Sequence, residues 1–112
     1  MGVEEQRAKS WKLLSKKFNS KEGVLKYSLA NTFKHELAKF ILCWNLGKEG
    51  KQVVTEAIFE NGSRADVFVL DSGEAWEVLQ SETEEQFNKK KAKYPCPVFS
   101  FKADDVLNGG VK

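Results

Sequence analysis

Three short apolar runs, separated by two tight-turn signals, dominate the middle of the chain. Gln52–Glu60 alternates and is rich in β-branched residues, Arg64–Leu70 reads RADVFVL, and Glu74–Gln80 reads EAWEVLQ. Asn61-Gly62 divides the first two runs, and Asp71-Ser72-Gly73 divides the second and third; both are turn formers for stated backbone reasons. Strands joined by connections this short are antiparallel neighbours, so the pattern predicts a three-strand meander. Inside its stretch Thr55–Thr83, Asp66 and Glu77 each interrupt an apolar run. Burying an unpaired charge is costly, and two acids on adjacent strands point to a shared task. With Asp71-Ser72 as the loop, Leu70 pairs with Gly73 and Asp66 stands directly across from Glu77. Opposed residues have Cβ atoms roughly 5 Å apart. Like charges at that separation repel unless a cation sits between them, so the pair predicts either a divalent-metal site or one strongly raised pKa.

Helices surround the meander. Residues 3–18 place Val3, Ala8, Trp11, Leu14 and Phe18 at helical spacing on a narrow face. That helix is expected to pack on the domain without building its core. Asn19–Gly23 breaks the chain, and Val24–Ala30 reads equally as a short helix or an extended lead-in. Residues 32–47 carry the strongest helical signal, with Asn31 or Thr32 as N-cap and Gly47 as terminator. Phe33, Leu37, Phe40, Ile41 and Trp44 form its broad apolar stripe. By 100° rotation per residue, Glu36 falls at the rim of that stripe, Lys39 and Cys43 lie just beyond, and His35 faces solvent. After the meander, Ser81-x-x-Glu84 fits a capping box opening a helix from about Glu82 to Lys93. Tyr94-Pro95-Cys96-Pro97 ends it, Val98–Phe101 reads as a fourth strand, and Ala103–Leu107 as one helical turn before a glycine-containing tail, Asn108-Gly109-Gly110.

Composition narrows the class. A chain of 112 residues, 41% hydrophobic and 30% charged, suits one soluble domain. It divides into an N-terminal extension (1–30), a core (31–102) and a tail (103–112). No apolar run is long enough for a membrane span, and the start MGVEEQ fits neither a signal peptide nor a myristoylation site. Cys43 and Cys96 lack CxxC partners, which disfavours structural zinc and suits free thiols in a reducing cytoplasm. The net charge of +2 conceals a pattern. Residues 1–52 hold eleven Lys/Arg and five acids, residues 53–88 hold Arg64 and nine acids, and residues 89–112 hold six Lys and two Asp. An acidic centre between basic ends suits a metal site set in a cradle for a polyanion. With one histidine in the chain, His-based triads and His-rich zinc sites are excluded.

These residues resemble a family. The order α-β-β-β-α-β, from about Phe33 to Phe101, is similar to the PD-(D/E)XK nuclease superfamily of Holliday-junction resolvases, restriction enzymes and RecB-like nucleases. Phe33-x-His35-Glu36-x-x-Lys39 looks like its first-helix motif, Arg64-Ala65-Asp66-Val67 like its R-x-D-V, and Trp76-Glu77-Val78 like the start of its E-x-K strand. The resemblance implies an α/β fold with a restriction-endonuclease-like core, a mixed four-stranded sheet, and an extra N-terminal helix. It implies Mg²⁺ or Mn²⁺ held by Asp66, Glu77 and the Val78 carbonyl, with Glu36 assisting. It implies phosphodiester hydrolysis on duplex or branched DNA, with Arg64, Lys89, Lys90, Lys91 and Lys93 against the phosphates. The departure is Leu79, which stands where the family has its catalytic lysine. Gln80, one residue later, and Lys39, on the first helix, are the substitutes the sequence offers. Without a substitute, the same surface is a catalytically inactive nucleic-acid-binding module. Related nucleases often dimerise, and the N-terminal helix is available for a homodimer contact. The order α-β-β-β-α also resembles a double-stranded-RNA-binding domain, but its G-P-x-H turn is missing and the run KKKAK at 89–93 comes late in the second helix.

Overall fold

A computed structural model of the chain describes residues 2–17, 20–80 and 82–107. The chain runs α1 (Val3–Leu13), α2 (Phe33–Lys48), β1 (Val53–Ile58), β2 (Arg64–Val69), β3 (Glu74–Leu79), α3 (Glu84–Lys91), β4 (Val98–Lys102) and a three-residue turn, α4 (Ala103–Asp105). The fold is mixed α/β, with one four-stranded sheet in the order β1-β2-β3-β4. β1 to β3 form the antiparallel meander, and β4 joins β3 in parallel after the α3 crossover. The expected Phe18, Ser81 and Asn108–Gly110 features lie outside the described residues.

The helix ends follow from local chemistry. Thr32 caps α2, its hydroxyl accepting from the His35 N–H at 3.1 Å. Termination comes one turn later than Gly47. Gly50 adopts φ +82°, and the Lys51 N–H reaches the Leu46 carbonyl at 3.1 Å while the Gly50 N–H reaches that of Gly47 at 3.0 Å. This glycine-closed arrangement satisfies two terminal carbonyls, which Gly47 within the helix does not. α3 opens at Thr83 and Gln86, a reciprocal capping box. The sequence holds two overlapping box patterns two residues apart, and the second is the one that forms.

The two sheet faces have different covers. On one, Val54, Phe68, Leu70 and Leu79 pack with Leu14, Phe59 and Phe87, and Phe59 meets Phe68 edge-to-face at 5.1 Å. On the other, Val53, Val67 and Val69 pack with Leu42 and Leu46 of α2, and Val78 with Ala38 and Val106. Residues 22–26 form no helix and turn at Gly23 (φ +73°), so the ambiguous stretch resolves to a lead-in. They run along the outer edge of β1, with the Gly23 N–H bonded to the Val53 carbonyl and the Thr55 hydroxyl donating to the Val24 carbonyl. An otherwise open strand edge is thereby covered.

Two helix faces differ from the sequence reading. α2 turns His35, Ala38 and Lys39 inward, all buried, while Phe33, Phe40 and Trp44 are exposed. The larger apolar residues mark the outward stripe; small and paired polar residues sit under the helix because the sheet offers partners there. α1 docks through Ser10 rather than through Trp11. The Ser10 hydroxyl donates to the Leu70 carbonyl at 2.8 Å, and Arg7 pairs with Asp71 at 3.0 Å. Gly73, at φ +70°, is what lets the helix approach: a Cβ there would lie 2.8 Å from the Gln6 amide nitrogen.

Candidate functional site

The β2–β3 ladder pairs Val69 with Glu74, Phe68 with Ala75 and Val67 with Trp76. Continued by one step, that register brings Asp66 opposite Glu77. There the carboxylates take over from the backbone ladder. The Val78 N–H donates to Asp66 Oδ2 at 2.8 Å, and the Asp66 N–H donates to Glu77 Oε2 at 3.3 Å. Each acid thus ties down an amide of the other strand, where the strands separate. A buried amide without a partner is expensive, so the acids have a structural role besides any chemical one.

Four residues from other elements close around the pair. His35 Nε2 lies 3.3 Å from Asp66 Oδ2. The Tyr94 hydroxyl contacts Glu77 Oε1 and lies 2.5 Å from the Arg64 carbonyl. Glu56 and Gln80 complete the walls of a cleft of about 340 Å³, with Arg64 and Lys90 at its margin. Asp66 does not follow Phe68 and Leu70 to one face, as strict alternation predicts. It reaches the α2 side instead, where His35 waits; the exposed position assigned to His35 by helical rotation is corrected accordingly.

Electrostatics divide the two acids. Burial pushes Glu77 up, and the bond to and charge of Asp66 push it further, to about 8, against the opposing Tyr94 and Asp66 N–H bonds. Burial also works to raise Asp66, but the bonds from His35, Glu77 and the Val78 N–H outweigh it and hold Asp66 below the ordinary carboxylate range. The Asp66 bond raises His35 against the cost of its burial. Near neutrality the constellation is therefore an anionic Asp66 beside a proton-bearing Glu77, with His35 biased toward its charged form by Asp66. This is the raised-pKa branch of the alternative set by two opposed carboxylates.

A second cluster lies behind the first. Lys39 is fully buried; its Nζ lies 2.5 Å from Glu36 Oε2, 3.4 Å from Glu56 Oε2 and 2.7 Å from the Lys26 carbonyl. Glu36 also accepts from the Asn31 amide at 2.8 Å and from the Ser28 N–H at 3.1 Å. Burial raises Glu36, but these bonds and the Lys39 ammonium bring it below its ordinary value. Glu56, at φ +51°, has a left-handed backbone inside β1, a strained state for a side-chain-bearing residue. Its carboxylate spans from Lys39 to Arg64, whose Nη1 is 3.7 Å away. Glu56 and Arg64 line the cleft, whereas Lys39 and Glu36 sit beneath it.

The remaining predicted residues scatter. Gln80 accepts from the Thr32 hydroxyl at 2.7 Å at the cleft wall. Leu79 is buried in the core beside Phe87 and Val98. Lys90 pairs with Glu82 at 3.4 Å, and Lys89, Lys91 and Lys93 are exposed on or just after α3 without lining the cleft. Sequence reasoning missed Tyr94 and the inward turn of His35. The only cue for Tyr94 is an aromatic hydroxyl beside Pro95; its reach to Glu77 depends on the loop path. A larger cavity of about 750 Å³ lies between α2 and residues 22–25, but its walls lack a carboxylate pair and are largely apolar.

Asp66 and Glu77 match a divalent cation in donor type and charge: hard cations take carboxylate oxygens, and Mg²⁺ completes its shell with water and phosphate. The proton retained by Glu77 is what such a cation would displace. Val78 meets Asp66 through its N–H. Among the described residues, no group of three or more His, Cys, Asp or Glu side chains is arranged to hold a metal by itself. No helix among them is long and apolar enough to cross a membrane, and Cys43 and Cys96 are unbridged. The chain matches no protein-family model, no curated protein and no solved structure.

Proposed function

We propose that this protein is a nuclease-like, metal-dependent nucleic-acid-binding protein whose reacting centre is the Asp66–Glu77 fork. The observation carrying the reading is the placement of two carboxylates on adjacent strands, at the end of a cleft edged by Arg64 and Lys90. The mixed sheet supports it, and the parallel β4 is a strand that the double-stranded-RNA-binding order lacks. A restriction-endonuclease-like arrangement belongs to the same proposal. Asp66 and Glu77 would hold Mg²⁺ or Mn²⁺, which when bound orients a phosphate and acidifies a water. His35 fixes Asp66 from behind, Tyr94 fixes Glu77, and Gln80 faces the same space.

A second reading is a binding module without catalysis. Two observations favour it: Leu79 fills core space at the lysine position, and the Lys39 ammonium is sealed among Glu36, Glu56 and the Lys26 carbonyl. One experiment separates the two. Duplex and branched DNA are incubated with the protein and Mn²⁺ or Mg²⁺, while calorimetry follows Mn²⁺ binding. Cleavage abolished by Asp66→Ala and by Glu77→Ala supports the enzyme. Mn²⁺ and DNA binding without cleavage supports the module. Cleavage surviving both variants refutes the site, as does the absence of both metal and DNA binding.

A further inference from the structure

The outward side of α2 is unaccounted for by the cleft. Phe33, Leu37, Phe40 and Trp44 recur at steps of four, three and four residues. At about 100° per residue they fall within an arc of roughly 60°. That spacing is the apolar seam of a helix that packs against another helix. Among the described residues the seam has no such partner: Phe33 is 80% exposed, Trp44 59% and Phe40 41%. Phe40 and Trp44 stack at 6.0 Å, making one continuous surface. Leu29, four residues before Phe33, is also 92% exposed. α2 is fastened to the sheet through the opposite side, and the seam residues Phe40 and Trp44 border the open cavity toward residues 22–25.

A contiguous apolar surface of this kind marks an interaction site. We propose that it pairs with the same stripe of a second copy, forming a two-fold homodimer through α2. A two-fold interface uses one patch on both subunits, and a straight, uniformly apolar stripe is complementary to itself. The area suits a reversible dimer, one that forms as concentration rises. Aromatic side chains carry on the order of 150–250 Å² each; the exposed fractions of Phe33, Phe40 and Trp44 give about 400 Å² per subunit, the apolar centre of an interface whose remaining area, toward the roughly 800 Å² of a standard one, comes from the flanking polar residues of α2. The charges beside it are of both signs, unlike the basic ring that a lipid surface favours: Lys34 pairs with Asp104, Lys51 pairs with Glu49, and Lys48 ends the stripe. The contact differs from the α1 dimer anticipated from sequence, since α1 is committed to the Asp71–Gly73 turn. The inference is independent of the chemistry of the cleft.

Sedimentation of the full chain from low to several hundred micromolar tests it. The expected result is a reversible monomer–dimer equilibrium. Phe33→Glu and Trp44→Glu, at opposite ends of the seam, are each expected to give monomer at every concentration, with unchanged far-UV circular dichroism and thermal unfolding of the monomer. A wild-type chain that stays monomeric throughout overturns the proposal. So does a dimer that persists in both variants, which would place the contact elsewhere. Trp11→Glu, on α1, serves as a control and is expected to leave the dimer intact.

Discussion

The two ends of β2 are built on different principles. From Val67 to Leu70 every side chain is apolar and at most 2% exposed, and the backbone ladder to β3 is continuous. One residue earlier, at Asp66, the ladder gives way to carboxylates that bond across to amides of the facing strand. Cohesion at the first end comes from apolar packing, which involves no titrating group and responds to salt only through the solvent. Cohesion at the second comes from charge, protons and hydrogen bonds. The difference teaches where titrating groups enter the sheet itself: at the packed end the ion pair of Asp71 with Arg7 lies in the turn beyond the strands, whereas at the second end the carboxylates stand within the ladder.

The comparison breaks most visibly under Phe68→Ala. That variant removes a fully buried ring from the packed end and should cost about 3–5 kcal/mol, read by urea denaturation. The titration of Glu77, followed by NMR, should not move; a shifted midpoint would mean the two ends are not separable. Lys39→Met comes next. It leaves Glu36 and Glu56 without the ammonium that neutralises them, for a loss on the order of 3 kcal/mol, and this loss should shrink as pH falls and the acids protonate. A pH-independent loss would show that Lys39 acts through packing alone.

Gly73→Ala tests the packed end from its turn. A left-handed backbone and a close approach to Gln6 combine there, for an expected loss of about 1–2 kcal/mol. Truncating Gln6 as well should recover the steric part and leave the backbone part. The smallest effect near neutrality belongs to Glu77→Gln in metal-free solution. The folded carboxyl holds its proton up to about pH 8 against an ordinary 4.5. The stability this proton confers is full below the ordinary value and lost as pH rises through about 8. Glutamine cannot titrate, so the variant should lose stability less steeply over that window. His35, also raised, contributes a decline of the same sign, and that decline should remain. An unchanged slope would mean Glu77 is ionised throughout in the folded protein.

Much of the meander was legible because its turns are chemically explicit. Asn61-Gly62 and Asp71–Gly73 place the strands, and hairpin geometry then places Asp66 across from Glu77. The surroundings of the pair were not legible, since they depend on which side of α2 faces the sheet. Hydrophobic bulk points to Phe33, Phe40 and Trp44, yet His35 and Lys39 go inward because Asp66, Glu36 and Glu56 are there to receive them. Burial of a polar side chain is decided by its partners, and Glu56 comes from a strand that follows seventeen residues after Lys39. Tyr94 is a similar case, joined to Glu77 across a helix and a loop.

The attachment of α1 has a kinetic consequence. The meander closes through short loops, whereas Ser10 meets Leu70 across sixty residues and Leu14 bridges Phe59. Loop-closure entropy places such distant contacts late in assembly. By the same reasoning they open first: α1 has one buried polar anchor and few apolar ones. Its amides should exchange with solvent well before those of β2 and β3. The helix acts as a late latch on the Asp71–Gly73 turn, and it can release while the carboxylate fork at the other end of the strands keeps its shape.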